Sequence, residues 1–221
     1  MKKMSKNNEL VQRFEYSNGT LKNKYNELDA NRLRFLEYKV VNERMAWLLA
    51  HEDRVTIRSF TDLAKIHRFL FDSIYDWAGE VRNYEMSKGG TDFMFSESIS
   101  MGISNINQQL REIKDQKMPD ALVYAKLIDS LNYLHPFREG NGRSIRIFVQ
   151  LLAANQGQKL SFDRQDEKII KALANADIPE IANFIKLKRV GSKQAVIRDL
   201  KGELAKRQKN YQTYISPHKN K

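Results

Sequence analysis

The sequence contains no cysteine. That excludes disulfides, thiolate metal sites and a cysteine nucleophile. Nowhere do about 18 apolar residues run together, so no membrane-spanning helix is expected. The basic start, MKKMSKNNEL, is not followed by the apolar stretch of a secretory signal. A cytoplasmic protein is the expectation, with delivery elsewhere left open because the sequence does not reveal such a route. Internal repeats and low-complexity linkers are also missing. So are three signatures of other chemistries: the GxxxxGK[ST] P-loop, the HExxH zinc helix and the GxSxG elbow. What remains is a chain of 221 residues, long enough to bury a core without staples.

Lys and Arg number 38 against 27 Asp and Glu, a net charge of +11. Such a balance fits an anionic ligand, an acidic partner or plain solubility as well as nucleic acid. The cations are spread along the chain, with one richer stretch from Lys186 to Lys209. No zinc knuckle and no RNA-binding strand motif accompanies them, so direct nucleic-acid binding is not expected.

Most of the sequence carries helical periodicity. Residues 27–51 place Leu33, Leu36, Val40, Trp47 and Leu48 at broadly helical steps. Ser59 or Thr61 is a candidate cap for a helix with Leu63, Ile66, Leu70, Ile74 and Trp77 on one face and Gly79 as its stop. Residues 80–95 differ: Val81 and Tyr84, then Lys88-Gly89-Gly90-Thr91-Asp92, then alternating Phe93 and Phe95, predict a hairpin around a Gly-rich turn. Helix is expected again over 97–114, over 121–134 with Pro119 in its first turn, after Gly142, and over 165–175 and 178–189. The expected fold is an all-α, mainly helical bundle with one small β-hairpin flap. It divides into a polar extension over 1–25, the first twenty residues of which are polar and expected to be disordered, a catalytic domain over 26–190, and a basic helix or tail over 191–221.

The informative segment is Leu134-His135-Pro136-Phe137-Arg138-Glu139-Gly140-Asn141-Gly142-Arg143-Ser144-Ile145-Arg146. Pro136 disfavours helical geometry at His135, so the preceding helix should end there and present the imidazole to a loop. Gly140 and Gly142 flank Asn141 and permit backbone angles that other residues resist. Successive N–H groups in such a turn form an anion site, and the next helix aims its positive end into it. Arg143 and Arg146, three apart, share a helix face beside that positive end, where an anion between them would relieve their repulsion. Forked guanidiniums suit a polyphosphate. Glu139 adds one carboxylate, which with substrate phosphates is the usual way to hold Mg²⁺. His135 supplies a group titrating near neutral pH, fit to take a proton from a hydroxyl. Each residue alone has a structural reading: a satisfied histidine, a solvated Arg138–Glu139 pair, an ordinary Gly-Asn-Gly turn. It is their clustering within twelve positions that favours a site. Phe137 reads as an apolar anchor either way. His67, between Leu63 and Leu70, reads as a packed helix residue, and His51 and His218 have no suggestive neighbours.

At every specified position His135 to Arg146 resembles the Fic motif, HxFx[D/E]GNGRxxR. Upstream, Asp76-Trp77-Ala78-Gly79-Glu80-Val81-Arg82 resembles the approach to the Fic flap, and Ser87-Lys88-Gly89-Gly90 to Phe95 resembles the flap itself. The resemblance covers roughly residues 60–190. It implies transfer of AMP from ATP to a Ser, Thr or Tyr hydroxyl of a target protein. His135 would act as base, Glu139 would hold Mg²⁺, Gly140, Asn141, Gly142 and Arg143 would cradle phosphates, and Arg146 would reach the γ-phosphate. Lys88 and Gly89 would sit near nucleotide and target, with the target strand paired on the flap. A kinase-like branch carries Lys where this chain has Gly142, which argues against that chemistry; a phosphocholine-transferring branch and a catalytically silent module are the alternatives. Many relatives are inhibited by a helix bearing [S/T]xxxE[G/N]. Here Ser5 and Glu9 match its first part, but Leu10 ends the match, so the chain resembles members inhibited by a separate antitoxin protein. Family toxins that modify type II topoisomerases make such an enzyme a candidate target.

Overall fold

The computed structural model describes residues 12–51, 55–162 and 166–215. Helix α1 spans Ala30–Ala50, where the Asp29 side chain caps the first turn by accepting from Asn31 N and Arg32 N. Helix α2 spans Phe60–Phe71. There the Asp62 carboxylate reaches back to the Ser59 N–H at 3.1 Å. Strands β1 (Ser87–Lys88) and β2 (Thr91–Asp92) form the flap, followed by a 3₁₀ turn over Ser96–Ser98 and helix α3 (Ile99–Asp115). Helix α4 (Ala121–Leu134) and helix α5 (Asn141–Asn155) flank the motif loop. Strand β3 (Gln158–Phe162), α6 (Asp166–Ala174), α7 (Ile178–Asn183), β4 (Ile185–Arg189) and α8 (Lys193–Ile215) complete the chain.

Helix α5 is the centre. Eleven of its fifteen residues are buried, which is the all-round apolar signature of an interior helix. It packs against α2, α4, α8 and β3, while α3 and α7 cover α4, and α1 lies on α2 and α8. The section before residue 26 also reaches this core: Phe14 is 3% exposed, with its ring 6.1 Å from Trp77 and 5.4 Å from Tyr84. So does the section beyond 190, through Val196, Ile197, Leu200 and Leu204. Within residues 12–25, Phe14, Thr20 and Asn23 are buried while most of the other side chains face solvent, so the polar stretch is pinned by a few anchors.

Several expectations are corrected. Helix α2 stops at Phe71, before Gly79. A helix continued to Trp77 would set Tyr75 and Trp77 on opposed faces. In the turn that replaces it, both are buried and their rings stack at 4.4 Å. Pro119 precedes the Asp120 cap and lies outside the first turn of α4; its carbonyl accepts from Gln158 Nε2 at 2.8 Å. The helix expected over 178–189 breaks after Asn183, and its second half is β4, which pairs antiparallel with β3. Lys186, Leu187 and Lys188 alternate outward and inward, a period-two pattern hidden by its helical surroundings. The fold is thus mainly helical with the expected flap, plus a second two-stranded sheet. The flap strands are only two residues long, and Phe93 is buried while Phe95 is 63% exposed, so the chain leaves the strand at Asp92.

The central position of α5 gives a stability prediction. Phe148→Ala, at a fully buried site, should cost about 3–5 kcal/mol. Leu122→Ser, at a residue 46% exposed, should stay within about 0.5 kcal/mol. Urea unfolding of both variants checks the contrast.

Candidate active site

The site is assembled where α4 ends and α5 begins. His135 is the C-cap of α4, in left-handed conformation at φ 41°. The residue before a proline avoids right-handed helical angles, so the sequence itself forces the turn. Behind it, the helix-end carbonyls need donors. They find them in Arg82, which is 4% exposed. Its Nε donates to the His135 carbonyl at 2.8 Å and its Nη2 to the Leu134 carbonyl at 3.0 Å. The same guanidinium holds the flap base through the Tyr84 carbonyl at 2.7 Å and the Met94 carbonyl at 2.5 Å. The Arg82 N–H adds a bond to the Pro136 carbonyl at 2.8 Å. One buried cation thus ties flap, helix end and loop together.

The His135 ring is stacked on Phe93 at 3.6 Å with a 13° interplanar angle. Its Nδ1 lies 3.2 Å from the Asn132 carbonyl, which only accepts, so Nδ1 carries the proton and Nε2 keeps its lone pair. Burial lowers the imidazole pKa to about 4; the Asn132 carbonyl opposes this and the Lys88 charge adds to it. The imidazole is therefore neutral at physiological pH.

In the loop, the Asn141 side chain closes a ring with Phe137: Phe137 N donates to Oδ1 at 3.0 Å, and Nδ2 donates to the Phe137 carbonyl at 2.7 Å. The carbonyl oxygen and one N–H of its amide are thus spent on the loop. Gly140 caps α5 at φ 82°, and a Cβ there would lie 2.4 Å from the Phe71 ring. Gly142 is helical, and a Cβ there would meet nothing within 4 Å. Its smallness therefore opens the approach to the helix N-terminus; the special backbone angle expected at both glycines is needed at Gly140 alone. Burial would raise the Glu139 carboxyl pKa, but the Gly140 N–H, Lys88 and Arg143 outweigh it and hold the group below the usual carboxylate range.

The two motif arginines each lie over an aromatic face, Arg143 at 4.9 Å from Phe71 and Arg146 at 4.9 Å from Phe162. Arg143 also pairs with Glu37 at 2.5 Å and, more loosely, with Glu139 at 3.4 Å. The repulsion that suggested a bound anion is partly relieved from within the chain, by a carboxylate on α1. Lys88 stands in the flap, close enough for its charge to act on His135 and Glu139, and Gly89 and Gly90 turn the hairpin at φ 59° and 80°. Ser5 to Glu9, the partial inhibitory match, and His218 lie outside the described residues.

Three residues at the site escaped the sequence reading: Arg82, Glu37 and the positioning role of His67. His67 is fully buried, with its ring 3.9 Å from Phe137 and 4.7 Å from Phe71. Gly79 N–H donates to Nδ1 at 2.9 Å, so the proton sits on Nε2, which donates to the Glu139 carbonyl at 2.8 Å. It is a packed helix residue, as expected, and it also fixes the backbone that carries Glu139. Glu37 had a visible signal, since it shares the buried face of α1 with Leu33, Val41 and Leu48. Its carboxyl is pushed up by burial, with Arg143 opposing. His51 stacks on Trp47 at 4.0 Å, away from these groups.

Two predictions follow from this geometry. Arg82→Lys keeps the charge but cannot serve four carbonyls, so it should cost about 2–4 kcal/mol, lowering Tm by roughly 5–15 °C in a melting curve. The pH prediction concerns His67 and His135, both with pKa lowered from 6.5 to about 4. The unfolded chain binds more protons between those values. Their stability contribution is complete above pH 6.5 and lost as pH falls to about 4, on the order of 3 kcal/mol for each. Tm measured across that window should fall with acid, and less steeply in His67→Gln.

Comparison with known proteins gives the same picture. The Fic/DOC family model matches residues 58–153. VbhT of Bartonella schoenbuchensis, a protein adenylyltransferase, is 34% identical over 110 residues, covering 48% of this chain and 23% of that protein. The probable protein adenylyltransferase Fic of Escherichia coli is 30% identical over 149 residues, 64% of this chain and 72% of that protein. Among solved structures, BepC of Bartonella tribocorum with bound AMPPNP superposes with a TM-score of 0.68 at 22% identity, covering 80% of this chain and 98% of that one, a likeness of fold. The chain spans about a quarter of the length of VbhT.

Proposed function

The chain belongs to the Fic/DOC family, and from that premise we propose that it is a protein adenylyltransferase, moving AMP from ATP to a hydroxyl of a target protein. The observation that carries this reading is His135: a neutral imidazole whose Nε2 keeps its lone pair, set beside the Glu139 carboxylate and the N-terminus of α5, where the Gly140 N–H donates to that carboxylate at 3.0 Å. Nε2 would accept the proton of the target hydroxyl as its oxygen bonds the α-phosphorus of ATP. The bond from that phosphorus to the bridging oxygen breaks, and pyrophosphate leaves with its electron pair. The backbone N–H groups from Gly140 to Arg143 and the helix dipole would hold the phosphates. Arg143 would steady the charge near the leaving group, and Arg146 would reach the γ-phosphate.

The residues present fit a magnesium ion. Among the described residues no group of three or more His, Asp or Glu side chains would cage a metal. Glu139 offers one partly exposed carboxylate, with that of Glu37 buried behind it on Arg143, which suits an ion held mainly by phosphate oxygens and water. Mg²⁺ bound there would neutralise charge on the phosphates. Lys88 and Gly89 would present the flap edge beside His135, where an extended target segment would pair with the strand.

The target is read as a protein with an exposed hydroxyl side chain, a type II topoisomerase being one candidate. Inhibition by a separate antitoxin would follow if its carboxylate occupied Arg146 and excluded the γ-phosphate. Among the described residues no helix is long and apolar enough to cross a membrane. Action in the cytoplasm, or delivery into another cell, is consistent with that.

The test is transfer of label to protein in a lysate. ATP labelled at the α-phosphorus should mark a target band, and ATP labelled at the γ-phosphorus should not. His135→Ala should keep nucleotide affinity and lose transfer by about 100- to 10,000-fold. Labelling from the γ-position alone would mean a kinase and would overturn the proposal.

A further inference from the structure

Helix α1 lies outside the residues matched by the family model, yet it sends a carboxylate into the site. Glu37 is 7% exposed and occupies a position of α1 that its neighbours Leu33 and Val41 use for the core. A charge in such a place is expensive unless paired, and its partner is Arg143. The geometry of that pairing is informative. A single nitrogen, Arg143 Nη2, lies between two carboxylates, 2.5 Å from Glu37 Oε1 and 3.4 Å from Glu139 Oε1. The guanidinium therefore sits closer to the buried acid and keeps only the longer contact to the loop acid, with its Cζ 4.9 Å from the Phe71 ring centre.

We propose that Glu37 is a positioning residue that holds Arg143 away from Glu139 and so keeps the Glu139 carboxylate available to a divalent cation. The proposal rests on the reading of Glu139 as the metal ligand. Glu139 and Arg143 are four apart across the start of α5, the spacing at which a carboxylate and a guanidinium pair by default. Without Glu37, Arg143 has Glu139 as its nearest counter-ion. That pair is neutral and offers a cation little. With Glu37 present the three groups carry one net negative charge, and of the two carboxylates Glu139 is the accessible one, its side chain 35% exposed against 9% for Glu37, which is where a cation arriving with phosphates would bind. Phosphates gain too, because Arg143 keeps the remaining donors of its fork while Nη2 is anchored.

This differs from a plain anchoring of α1 to α5, which would support the fold but leave the metal requirement alone. The experiment is titration of Mg²⁺ into the chain with ADP, read as heat of nucleotide binding, for wild type, Glu37→Gln, Glu139→Gln and the double variant. Glu37→Gln should bind ADP without metal at least as well as wild type and should need about 10- to 100-fold more Mg²⁺ for half-saturation. In the Glu139→Gln background the second substitution should add no further shift. An unchanged Mg²⁺ requirement in Glu37→Gln would overturn the proposal, as would shifts that multiply in the double variant. If the amide variant does not fold, Glu37→Asp, which withdraws the carboxylate by one methylene, is read in the same way. The readout needs no transfer. A chain that binds Mg²⁺ with ADP yet modifies nothing would sink the adenylyltransferase reading, and the titration would still decide the role of Glu37.

Discussion

The buried guanidinium of Arg82 is the contact on which the site depends. A helix that ends at a left-handed histidine leaves carbonyls pointing into the protein, and those groups must find donors. Arg82 supplies them at Leu134 and His135, then spends its remaining donors on Tyr84 and Met94. The flap and His135 are therefore joined by the same side chain. Burial lowers the Arg82 pKa, yet a guanidinium stays charged at any working pH, and each bond it makes is charge-assisted. The side chain most central to the geometry is thus one that touches none of the proposed substrates.

A second layer of the same logic surrounds the loop. His67, Asn141 and Glu37 each use a buried polar group to fix a neighbour in the motif loop: the Glu139 backbone, the Phe137 backbone and the Arg143 guanidinium. Phe71, Phe93, Phe137 and Phe162 provide the flat surfaces against which these groups rest. Reactions of phosphate esters ask mainly for positioning and charge, and a site with its side chains already held loses little on closing around a ligand.

Much of this was legible in the sequence, for identifiable reasons. Pro136 dictates where α4 ends, and the Gly-Asn-Gly turn and two arginines announce an anion site, so local chemistry alone nominates His135, Glu139, Arg143 and Arg146. What the sequence concealed was long-range. Glu37 lies 106 residues from Arg143, and His67 lies 72 from Glu139. No spacing rule links such partners; a charge on the apolar face of α1 was the sole hint. The second sheet was hidden likewise, because β3 and β4 are separated by two helices and no short turn marks their pairing. Burial decided the rest: Phe93 and Phe95 alternate in the sequence as strand residues do, but one of them is drawn under the His135 ring.

The central claim is that the loop is built before the nucleotide arrives. The most direct measurement is a crystal structure of the chain with Mg²⁺ and a non-hydrolysable ATP analogue. The account predicts phosphates over the N–H groups of Gly140 to Arg143, the α-phosphate facing His135 Nε2, and a loop backbone that moves by less than about 0.5 Å, with the Arg82 bond to the His135 carbonyl intact. Phosphates bound elsewhere, or a loop rebuilt with that bond broken, would contradict it.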